Sequence, residues 1–160
     1  MLPFTPTPFF ADKDRAFWRL QVLGWGGYML QRAVSTIAND QPLAFLVVVL
    51  ITSITGFSIS VLLSVIYGWL IKQRPVITWA ATGVLLAAAV SLYSGIDAWV
   101  LQIYHADLTV GFAQRFFGIF SYDLTVLGAW SALYYAINYY LQVEEQADRL
   151  ERLEAQATSA

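Results

Sequence analysis

A chain of 160 residues that is 58% hydrophobic and only 12% charged is far poorer in charge than an ordinary soluble domain, and a chain this short exposes too much of its surface to hide so much apolar area from water. It has no cysteine, which excludes a disulfide framework, a thiolate metal site and a cysteine nucleophile. The net charge of −2 comes from the tail, where Glu144, Glu145, Asp148, Glu151 and Glu154 outweigh Arg149 and Arg152 by three; the rest is +1 and gives no electrostatic case for nucleic-acid binding.

Lipid is the solvent such a composition calls for, and six Trp with nine Tyr fit interfacial belts. Residues 1–16 form a Pro-rich, then charged, cytoplasmic segment. Asp12, Lys13, Asp14 and Arg15 precede the first apolar run and no cleavage site follows it, so the run reads as a retained span rather than a signal peptide. The fold predicted is all-α: four transmembrane helices in a bundle over 17–141, with spans near 17–38, 43–71, 76–104 and 112–141.

The first span is the most polar, with Arg19, Gln21, Gln31 and Arg32; Arg19 lies close enough to an end to snorkel. Asn39–Pro42 makes the first turn. The second span has no charge and exceeds the hydrocarbon thickness, so it tilts or protrudes. Lys72–Pro75 turns the chain again, the third span contains Asp97, a short loop opens at His105, and the fourth span contains Asp123. With four spans both termini share a side. Lys13, Arg15, Arg19, Lys72, Arg74, Arg149 and Arg152 fall on it, against Arg32 and Arg115 on the other, which makes both ends cytoplasmic. Trp18, Trp69 and Trp79 belong to the inner belt, Trp99 and Tyr104 to the outer.

No Pro or Gly separates the fourth span from residues 142–160, so one helix is predicted to run through both. Val143, Leu150 and Ala157 recur at seven, Leu153 takes a d-type position, and Glu145–Arg149 and Asp148–Arg152 are favourable i,i+4 pairs. This reads either as a short coiled-coil seam, with Val143, Leu150 and Leu153 as transmission residues, or as a plain solvated extension. An uncapped helix reaching Ala160 predicts a longer native protein.

Two sets of residues stand out. Thr52, Gly56, Ser60, Ser64 and Gly68 recur every four residues and line one helix face, where small side chains let backbones approach in lipid. Gly83, Ala87, Ser91 and Gly95, and Gly128, Ala132 and Ala136, make similar rows. These rows pack the bundle or, in the second span above all, build a homodimer. The other set is an outer-half polar layer: Arg32, Asp97, Gln102, Arg115, Tyr122 and Asp123, with Asp97 roughly 10 Å below the outer end of its span. Charges at that depth face a bundle interior or a wet cavity. They lock the helices together or sense a small molecule, proton or ion. The single histidine, His105, lacks partners for a metal site, and no cofactor motif, phosphate loop or nucleophile elbow is present.

The stretch LGAWSALYYAINYYLQVEEQADRLERLEAQA, residues 127–157, resembles the segment joining membrane bundle to kinase in LytS/AlgZ-like sensor histidine kinases. FWRLQVLGWGGYML, residues 17–30, resembles the first span of that family. The resemblance implies a multi-pass protein of the bacterial inner membrane that acts as a homodimer. It also implies that this chain is the non-enzymatic sensor and transmission region of a protein whose cytoplasmic kinase domain addresses a response regulator. His105 lies on the wrong side and in the wrong context to be that family's phosphoacceptor. Two rival readings use the same residues differently. A small transporter or channel subunit would use the polar layer as a path, but Asn138 is almost alone in the inner half. A membrane anchor would recruit a partner through the tail.

Overall fold

The computed structural model describes residues 13–106 and 109–160, all helix and short turns. Four helices follow in order: α1 Lys13–Ala38, α2 Phe45–Leu70, α3 Pro75–Tyr104 and α4 Phe112–Ser159. Most of the predicted N-terminal segment, residues 1–12, and Asp107 lie outside the described residues.

The turns are set by local chemistry. Asp40 adopts a left-handed conformation with φ 52°, which Asp tolerates better than most residues. Around it the Gln41 N–H reaches the Thr36 carbonyl at 3.0 Å and the Asp40 N–H reaches Ile37 at 3.2 Å; this nested pair closes the helix end as a Schellman motif. Arg74 is extended, as a residue before proline must be, and Pro75 opens α3 where its missing N–H costs nothing. The Thr78 hydroxyl donates to the Leu70 carbonyl at 2.6 Å, so a side chain of α3 satisfies a carbonyl orphaned at the end of α2.

Consecutive helices pack antiparallel. Gln21 meets Ser60, and one turn later Trp25 reaches Gly56; Thr82 meets Tyr135 near one end of α3 and Ser94 meets Asp123 toward the other. α1 packs on α2 and α4, α3 on α2 and α4, and α2 reaches α4 across the middle. The core is strongly aromatic: Trp25, Tyr67, Tyr93, Trp130, Tyr134 and Tyr135 are all buried in it. Tyr67 lies 4.9 Å from Tyr135 and 6.3 Å from Trp130, centroid to centroid, within the range of favourable ring pairing.

α2, α3 and α4 are long and apolar enough to cross a membrane. α1 is helical over the whole of its predicted span but is not among them, because Arg15, Arg19, Gln21, Gln31 and Arg32 interrupt its apolar residues. Four spans were predicted; three helices qualify on length and composition. α4 is a single helix of 48 residues from Phe112 to Ser159, continuous through Leu141 and the charged tail.

Candidate functional site

The interior carries two polar constructions, one above the other, inside an apolar exterior on which Val65, Val76, Val84 and Phe117 are exposed. The deeper one is centred on Gln21, a fully buried side chain of α1. Its Nε2 donates to Ser60 Oγ of α2 at 3.0 Å, and its Oε1 accepts from the indole N–H of Trp130 of α4 at 2.9 Å. Trp25 also donates to Ser60 Oγ at 2.9 Å, and Ser60 donates in turn to the Phe57 carbonyl at 2.8 Å. Each group in this chain has a partner, which is what keeps a buried polar network from destabilising a core. Toward the cytoplasmic end of the predicted topology, Tyr67 pairs with Ser131 at 2.9 Å and Thr82 with Tyr135 at 2.6 Å. Tyr67→Phe removes the first of these and is expected to lower stability by about 1 kcal/mol, read as a shifted midpoint in denaturant unfolding of the detergent-solubilised protein.

The second construction holds the ionisable residues. Asp97 of α3 and Asp123 of α4 are 5% and 1% exposed. Ser94 donates to Asp123 Oδ2 at 2.9 Å, and the Thr52 hydroxyl stands against Asp97. The positive charge acting on both carboxylates is that of Arg32, and Asp123 lies near enough to Asp97 to repel it. The Arg32 guanidinium also sits 5.7 Å from the centre of the Tyr122 ring, a cation–π distance. Tyr93 donates to the Thr52 carbonyl at 3.0 Å, and the Tyr28 hydroxyl lies beside that of Tyr93. Among the described residues, Asp97 Oδ1, Asp123 Oδ1 and Arg32 Nε are buried without a hydrogen-bond partner.

The structure therefore gathers Arg32, Asp97, Asp123 and Tyr122 from the predicted layer. Gln102 is half-buried on the last turns of α3, and Arg115 is half-buried on the first turn of α4, two turns before Asp123. His105 is exposed, its ring 4.9 Å from that of Tyr104 and 6.2 Å from Phe45. No three His, Asp or Glu side chains converge as metal ligands among the described residues.

Of the predicted packing row, Thr52, Gly56 and Ser60 are buried and Ser64 and Gly68 half-buried, so this face turns toward the other helices of the same chain. Gly83, Ala87 and Ser91 of α3 face outward instead. Val143, Leu150 and Leu153 are exposed on the tail. Sequence reasoning missed Gln21 and Trp130 as network members, Tyr28 beside the acids, and Ser94 as the donor to Asp123. The usable signal was the mismatch itself: a glutamine in an otherwise greasy segment needs a partner.

No family model, no curated protein and no solved structure matches this chain.

Proposed function

We propose that the chain is the membrane input module of a sensor histidine kinase: a four-helix transmembrane bundle with both termini cytoplasmic, working as a homodimer in the bacterial inner membrane. It relays a stimulus at the polar layer through α4 to a cytoplasmic kinase, which in turn addresses a response regulator. The observation that carries the reading is one of placement. Asp123, buried in the charged layer, and Leu153, exposed on the tail, belong to the same uninterrupted helix, about 45 Å apart along its axis. A change in how Asp123 is held can shift or turn the far end without any intervening hinge.

Two further features support it. Large apolar side chains cover the exterior while Gln21, Asp97 and Asp123 are buried among an aromatic core, and charged side chains inside a membrane mark functional positions. Trp18, Trp69 and Trp79 are exposed at the end that bears most of the Lys and Arg, as an inner belt requires. The resemblance of residues 127–157 to the kinase-linking segment supplies the class of output.

A stimulus moves such a device only by binding its two packings unequally. The double substitution Asp97→Asn/Asp123→Asn, made in a protein that joins this chain to a kinase, is expected to lock output at one level, with loss of at least about tenfold in stimulus response, the equivalent of about 1.4 kcal/mol of coupling. Autophosphorylation in membranes reads it. Normal response at normal expression would remove the layer from the mechanism.

A further inference from the structure

We infer that Asp97 and Asp123 together hold one exchangeable proton. The first argument is charge balance. Two carboxylates are buried in this layer and one guanidinium acts on both of them. With all three ionised this cluster is left at −1, and Arg115, the other base of the predicted layer, is not among the charges acting on either acid. An uncompensated charge buried at membrane depth is costly, and such a site neutralises itself. The groups facing the pair from each element do not supply the missing charge. α1 offers Arg32 and Tyr28, α2 the Thr52 hydroxyl, and α3 Tyr93 and Ser94, while Tyr122 of α4 lies against the Arg32 guanidinium. Phenols carry no charge near neutral pH.

The second argument is hydrogen-bond satisfaction. Each acid keeps one buried oxygen, Oδ1, without a donor. A single proton answers both shortages: it bonds to one carboxyl, which becomes a donor, and the other carboxylate is an acceptor. Its uptake forms one O–H bond with a proton drawn from solvent and brings the layer to zero charge; its release reverses both. Two like carboxylates held close together ordinarily titrate as a pair sharing one proton.

The inference depends on the sensor reading only for what the proton is used for, so its test needs no signalling. The protonated-carboxyl stretch of the purified chain in nanodiscs, recorded by infrared spectroscopy in H₂O and D₂O in sodium-free buffer, counts the proton directly. Near neutral pH one deuterium-sensitive band per chain is expected. It vanishes in Asp97→Asn and in Asp123→Asn, because the remaining acid balances Arg32. It doubles in Arg32→Gln, where both acids must be neutral. No band in the unsubstituted protein overturns the proposal, and so does a missing band accompanied by a carboxylate shift on adding sodium, which would make the occupant a metal cation. An unchanged band in both Asn variants, or in Arg32→Gln, also overturns it. The parent spectrum decides by itself if a variant does not fold. A silent parent spectrum combined with lost signalling in the double Asn variant would discard the proton and keep the layer as the sensing site.

Discussion

Gly56→Leu is expected to prevent the helices from assembling, while Gly83→Leu leaves them folded. A Cβ on Gly56 would run into the six-membered ring of Trp25 and stand 2.8 Å from the Tyr93 hydroxyl. Neither neighbour can retreat cheaply. Trp25 is a rigid, buried indole whose N–H is held by Ser60 at 2.9 Å, and Tyr93 is fully buried with its hydroxyl on the Thr52 carbonyl. Overpacking a tight core by one or two carbons costs about 1–3 kcal/mol, so Gly56→Ala already weakens the protein, and leucine adds three more carbons to the same space. A Cβ on Gly83 would meet no neighbouring atom within 4 Å, and replacing glycine within a helix is favourable by up to about 1 kcal/mol. Monodispersity and thermal midpoints in detergent separate the two. A Gly56→Leu protein that melts with its parent would show that the Trp25 indole is not fixed against α2.

The same pair of glycines shows what the sequence makes legible and what it conceals. The helices follow from long apolar runs broken by Asn39–Pro42, Lys72–Pro75 and the segment after Tyr104. The continuity of α4 follows from the absence of Pro and Gly between Leu141 and Ser159. Spacing at four identifies Thr52, Gly56 and Ser60 as one face, and equally Gly83, Ala87 and Ser91 as another. It does not say which face meets protein. In a soluble helix the polar side marks the outside; here lipid is as apolar as leucine, so the two environments leave nearly the same residue pattern. The layer of charge was legible for a related reason: Arg32, Asp97 and Asp123 are too costly to place in lipid singly and so predict one another. That Arg32 is the base acting on both acids depends on how α1 is rotated, which no local signal specifies. Gln21 was legible only as a liability of its span, although it is the residue that joins three helices.

Gln21→Leu is accordingly expected to weaken the protein although leucine is the more lipid-compatible residue. Leucine fills a similar volume but leaves the Trp130 N–H, now at 2.9 Å from Gln21 Oε1, buried without an acceptor, and takes from Ser60 the donor that sits at 3.0 Å. A buried orphaned donor costs about 1–3 kcal/mol, whereas polar contacts between membrane helices average only about 0.6 kcal/mol because the separated helices find other partners. Losing both contacts leads to an expected loss of about 2 kcal/mol in denaturant unfolding. A double-mutant cycle tells whether the hydrogen bond is the cause. In a Trp130→Phe background there is no N–H to strand, so the cost of Gln21→Leu should fall by about 1 kcal/mol. Strict additivity would mean that Gln21 acts through shape alone. A coupled result would make the Gln21–Trp130 bond a fixed point between α1 and α4, two helical turns below Asp123 on the same helix.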